Sequence, residues 1–206
     1  MENSTKHLEE IKKEIFKRQD EILSRIEKEN IDVYLFIKRE YKKGNINNNL
    51  VFQFIFRSFY KLDNAGLGNE LKRKYFELLA NKKSDLKQIL LELHKILTLK
   101  NKNSIQFSFA TKLLHTLDNN NPIFDKEVKT VLCKAVYGKN PEEKIKSCLK
   151  TYQFLKNIYF ELLQDEKIRE VIKRFREKFD NKNEISNVKA LDFIIWSLGK
   201  LKSGHN

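Results

Sequence analysis

The chain is short of the residues that punctuate β-structure. Its 206 residues include six Gly and two Pro, too few for an all-β protein, which needs a turn every ~8–12 residues. The scarcity also removes the glycine-rich phosphate cradles: neither GxGxxG nor GxxxxGK[ST] occurs. Two cysteines, Cys133 and Cys148, make no disulfide framework and no CxxC pair, and both read as small core residues. Four histidines, His7, His94, His115 and His205, stand too far apart for metal-ligand spacing, so neither a metal nor another cofactor is expected. No apolar run approaches the ~18 residues that span a bilayer. The opening MENSTKHLEEIKKE has no apolar centre of the signal-peptide kind. These absences are read as a soluble, cytoplasmic protein with no membrane partner.

Aromatic residues and positive charge are plentiful. Fifteen Phe and seven Tyr suffice for a core, which excludes global disorder. The 41 Lys and Arg against 28 Asp and Glu give a net charge of +13, which admits nucleic acid as a partner. Only eight of the 41 are Arg, however. A Lys/Asn/Ile bias of this kind also arises from AT-rich coding, so the excess reads either as functional or as compositional.

Periodicity is helical almost throughout. Helices are expected over Thr5–Glu29, Ile31–Lys43, Leu50–Leu62, Asn69–Ala80, Ser84–Leu99 and Ile105–Leu117. Further helices are expected from Asp125 to about Tyr137, after Asn140 with Pro141 at its first position, over Glu166–Phe179, and after Ser186. Leu50–Leu62, LVFQFIFRSFYKL, reads as a buried helix. The expectation is a compact all-α bundle of about ten helices in one domain, with possible lobes over residues 1–100 and 101–206.

The stretch Ser104–Leu132, SIQFSFATKLLHTLDNNNPIFDKEVKTVL, is the most informative. A helix with small residues (Ser108, Ala110, Thr111) runs into a Pro122 turn, and Asp125 then opens the next helix. Taken alone, Asp125 reads as an N-cap. This segment resembles the helix-hairpin-helix DNA glycosylase superfamily, over about 30 of the 206 residues. VFQFIFRSFYKLDNAGL and LDFIIWSLGK read as marks of a distant bacterial branch of it, to which no activity attaches.

The resemblance implies base excision from DNA, with Asp125 as the catalytic carboxylate that stabilises an oxocarbenium-like sugar or activates water. Two departures qualify this. The hairpin glycines of the superfamily are absent, with Lys102-Asn103-Ser104-Ile105-Gln106 in their place. The position of the nucleophilic Lys of bifunctional members holds Gln106, which cannot form a Schiff base. An active protein is therefore expected to be monofunctional.

Base flipping would call on Phe59, Tyr60 and Trp196, with Phe56, as stacking surfaces and on Asn64 to read a base edge. The plainer reading of each aromatic is core packing, because all sit at helical core spacing. Two basic groups are candidate phosphate contacts. Lys100, Lys102 and Lys112 flank the hairpin segment, Lys112 reading otherwise as a solvated lysine. Arg169, Lys173, Arg174, Arg176 and Lys178 form the second group, which reads otherwise as a solvated helix face. His115 reads as a surface or packed residue. A catalytically inactive nucleic-acid-binding protein and a partner-binding helical protein remain alternatives.

Overall fold

The computed structural model describes residues 2–179 and 184–204. Within them the protein is all-helical: eleven α-helices, one short 3₁₀ turn and no strand. The helices are α1 (Glu2–Lys17), α2 (Gln19–Ser24), α3 (Lys28–Lys43), α4 (Leu50–Phe59), α5 (Asn69–Ala80), α6 (Leu86–His94), α7 (Phe107–Leu117), α8 (Lys126–Leu132), α9 (Pro141–Gln164), α10 (Glu166–Phe179) and α11 (Asn187–Lys202). No helix among the described residues is long and apolar enough to cross a membrane. His205 lies outside the described residues.

Caps set several boundaries where the residue types place them. Asn140 accepts from the Glu143 N–H at 2.9 Å, with Pro141 opening α9. Ser186 accepts from the Lys189 N–H at 3.1 Å at the head of α11. Several boundaries differ from expectation; α6 ends at His94, five residues short of Leu99, and α3 starts at Lys28, ahead of Ile31. The first helix is broken at Arg18, whose φ of −107° and ψ of 16° leave the helical region. The cap of α6 is Asp85 rather than Ser84: its Oδ1 accepts from the Gln88 N–H at 2.7 Å. α8 stops at Leu132, five residues short of Tyr137, because Cys133 takes a left-handed conformation (φ 49°, ψ 33°).

The chain divides into two units, neither contiguous in sequence. The first comprises residues 1–31, 119–135 and 151–206; the second comprises 32–118 and 136–150. The lobe boundary expected near residue 100 therefore falls inside the second unit.

In the first unit α11 is the centre, packed closely against α8 and also against α1, α2 and α10. Its residues from Lys189 to Ile195 are all buried. Phe193 stacks on Phe175 of α10 with ring centroids 5.9 Å apart, and the Ser197 hydroxyl donates to the Ile22 carbonyl at 2.8 Å. Gly199 sets the closest approach. A β-carbon there would stand 2.5 Å from the Glu127 carbonyl oxygen, so only glycine lets α11 lie on the first turn of α8.

In the second unit an aromatic cluster joins α4 to α5. Phe56 lies 5.8 Å from Tyr75, 5.6 Å from Phe76 and 4.7 Å from Tyr60, within the range of favourable aromatic pairs. The Tyr75 hydroxyl donates to the Phe109 carbonyl of α7 at 3.1 Å, and burial raises its pKa well above the usual tyrosine value. α4 is not buried as expected: Phe52 and Phe56 are, but Leu50, Val51 and Phe54 are exposed.

Candidate functional site

The segment before α8 is pinned along its length. The Ser186 hydroxyl donates to the Asn119 carbonyl at 2.8 Å, and the Tyr152 hydroxyl donates to Asn121 Oδ1 at 3.3 Å. Pro122, Ile123 and Phe124 are buried. This delivers Asp125, half-buried, to the head of α8. Its Oδ1 accepts from the backbone N–H groups of Glu127 (3.0 Å) and Val128 (2.9 Å). Asp125 is thus an N-cap whose carboxylate is fixed in orientation, at a helix end that favours negative charge.

The same unit holds a buried polar network that the sequence reading missed. Lys189 and Asp192, one turn apart on α11 and 3% and 5% exposed, form an ion pair at 2.7 Å. The Tyr159 hydroxyl of α9 donates to Asp192 Oδ1 at 3.3 Å. Burial raises the Tyr159 pKa well above the usual value, and the charges of Asp192 and Asp125 add to the rise. Asp125 is therefore within electrostatic reach of this network. The Lys189 ammonium also sits 4.3 Å from the Phe193 ring centroid. The signal in the sequence was a Lys and an Asp three residues apart in KALDFIIWSL, where Ser197 is the one other polar residue. A buried ion pair contributes little net stability.

Gln106 belongs to the second unit and Asp125 to the first. Gln106 is buried just before α7, and its side-chain amide donates to Ser104 Oγ at 2.6 Å.

The stacking candidates are likewise divided. Phe59, Tyr60 and Asn64 fall in the second unit, Trp196 in the first. Tyr60 is a core residue against Phe56, not an open stacking face. Phe56 is fully buried in the same cluster. Phe59 is half-buried, its ring edge-on to Tyr60 at 4.9 Å. Asn64 is exposed on the 3₁₀ turn Asp63–Ala65. Trp196 is half-buried under the Lys200 ammonium, 4.0 Å from its ring.

The basic residues require a correction. Lys112 is not solvated: it is buried, its ammonium donating to the Tyr60 carbonyl and to Ser108 Oγ, each at 3.2 Å. As placed, it cannot present its charge to a phosphate. On α10, Arg174 pairs with Asp20 at 2.6 Å. Arg176 donates to the Ile185 carbonyl and the Asn187 side chain, each at 2.8 Å. Lys178 donates to the carbonyls of Leu23 and Ile26. These three cations tie α10 to its own unit rather than forming a uniformly solvated face. Arg169, Lys173, Lys100 and Lys102 are exposed.

His115 is buried, with a ring nitrogen 3.2 Å from the Tyr34 hydroxyl. Cys148 is buried as expected, and burial pushes its thiol up to about 12. Cys133 is exposed instead, because the chain leaves α8 there. It lines a surface groove of about 800 Å³ with residues of α1 and α2, His7, Lys13 and Glu14 among them. Asp125 does not line that groove. Among the described residues no cluster of three or more His, Cys, Asp or Glu could hold a metal ion. No family model, curated protein or solved structure matches this chain.

Proposed function

We propose that this is a DNA-binding protein resembling the helix-hairpin-helix glycosylases, and that it removes a damaged or modified base with Asp125 as the reacting carboxylate. The observation that carries the reading is the fixed carboxylate of Asp125 at the head of α8, whose charge reaches Tyr159 of the buried Tyr159–Asp192–Lys189 network. A carboxylate held by backbone amides needs no reorganisation when positive charge develops on the sugar during C–N cleavage. It could equally align the attacking water. With Gln106 where bifunctional members have their lysine, the product is an intact abasic strand.

A panel of lesion-bearing duplexes, assayed for abasic product by alkaline strand cleavage, tests this. The wild type is expected to release one base class, and Asp125→Asn to lower the rate by about 10²–10⁴-fold. Undiminished excision by Asp125→Asn overturns the assigned role.

A second reading, an inactive nucleic-acid-binding or partner-binding protein, is supported by the cations of α10 and α7 that are used within their own units. Duplex binding that weakens steeply with salt, with no product from any lesion, would favour the nucleic-acid form. No binding at low salt would favour the partner-binding form.

A further inference from the structure

Helix α4 is apolar on two faces. Phe52 and Phe56 are fully buried, whereas Leu50, Val51 and Phe54 are 72%, 64% and 62% exposed. Val51, Phe54, half-buried Ile55 and exposed Ser58 follow the i, i+3, i+4, i+7 spacing of a single stripe, the spacing by which helices pack on helices.

Positive charge flanks the stripe at both ends. From Lys38 to Ser58 the chain carries five cations and one carboxylate, Glu40. Arg39, Lys42 and Lys43 are exposed at the end of α3; Lys43 pairs with Glu40 at 2.5 Å, which leaves an excess of two positive charges there, and the Asn49 amide ties the head of α4 to Glu40 at 3.2 Å. At the other end Arg57 and Lys72 share the single carboxylate of Asp63. The corner is also tied together by hydrogen bonds. The Gln53 side chain donates to the carbonyls of Ile46 (2.9 Å) and Asn47 (3.0 Å), and Asn49 Oδ1 caps α4 through the Phe52 N–H. The apolar side chains are therefore held out by structure.

We propose that this stripe of α4 is a docking surface for an acidic amphipathic helix of a partner protein. Its apolar face would cover Val51 and Phe54, and its carboxylates would meet the cations at either end. A second copy of this chain would bring like charges together. A lipid surface would have to accommodate the exposed amides of Asn45, Asn47 and Asn48 beside the stripe. The inference is independent of the excision reading, since it uses none of the residues assigned there.

The probe is a synthetic amphipathic helix with Leu along one stripe and Glu elsewhere, followed by fluorescence anisotropy against the full chain. Its counterpart has Lys in place of Glu. The acidic helix is expected to bind and the Lys version not. The double variant Val51→Ser/Phe54→Ser is expected to weaken binding by about tenfold or more, with unchanged circular dichroism. Lys42→Glu/Lys43→Glu should weaken the acidic helix and admit the Lys version. Absence of acidic-helix binding overturns the proposal, as does equal binding of both helices or of the Val51/Phe54 variant. So does finding that this variant instead abolishes self-association, vesicle binding or duplex binding.

Discussion

Helices α4 and α11 are both dense in apolar residues, yet only one is enclosed. α11 is covered by α1, α2, α8 and α10, so even Lys189 and Asp192 are buried on it. α4 buries Phe52 and Phe56 and leaves Leu50, Val51 and Phe54 in solvent. Apolar density thus shows that a helix has surface to cover. Whether it is covered depends on neighbours drawn from distant parts of the sequence. The exception on each helix is then the informative residue: charge inside α11, and apolar side chains outside α4.

The sharpest test of this contrast lies within α4 itself. Phe56→Ala is expected to cost about 4 kcal/mol, since it empties the centre of the aromatic cluster. Phe54→Ala, two residues away and exposed, should fall within about 0.5 kcal/mol of wild type. Denaturant unfolding of both variants measures the difference, and equal losses would break the two-faced description. On α11, Lys189→Met should cost about 3 kcal/mol by leaving Asp192 buried without its cation. The double variant Lys189→Met/Asp192→Asn should recover part of that loss, because the uncompensated charge is gone and the amide oxygen still accepts from Tyr159. If the double variant is no more stable than the single, the pair is not the unit proposed.

Gly199→Ala should cost about 2 kcal/mol, the usual scale of overpacking. Its β-carbon meets backbone of Glu127, which cannot rotate away as a side chain could. A thermal midpoint equal to wild type would show that α8 can shift aside.

The smallest expected effect is at the foot of α4. Hydrogen bonding from Lys72, then from Arg57, lowers the Asp63 pKa below its ordinary value. A carboxylate lowered in this way contributes stability that is fully present above the unfolded pKa of about 3.9 and is lost as pH falls through the lower folded value. The stability gap between wild type and Asp63→Asn should therefore be present at neutral pH and close below about pH 4. Asp63 is partly exposed, so the gap is expected to be small. A gap that widens in acid would contradict the pairing.

Much of the helix inventory was legible in sequence because its signals are local. Asn140-Pro141 and Ser186 fixed helix starts through bonds spanning three residues, and Asp125 capped α8 as its residue type suggested. The break at Arg18 and the left-handed turn at Cys133 carried no Gly or Pro to announce them. The division into two units was illegible for a different reason. Each unit gathers segments far apart in the chain, and no local pattern encodes that pairing.

The candidate site shows the same limit. Asp125 could be named from its turn and its helix start. The Tyr159–Asp192–Lys189 network was legible only in part: Lys189 and Asp192 stand out in a largely apolar run, but nothing local joins them to Tyr159, which reaches them only when α9 is brought to α11. The basic run of α10 read as a face; the partners of Arg174, Arg176 and Lys178 lie on other segments of its unit.

The sequence by itself determined that this protein is helical, where most of its helices begin, and that it carries excess positive charge. Those follow from backbone propensity, capping chemistry and residue counts, which act over a few residues or none. Tertiary structure alone decided which charges are buried, which cations already have partners and which apolar face is left uncovered. Burial and pairing are set by neighbours brought together across the chain, and that assembly is where their free energy is fixed.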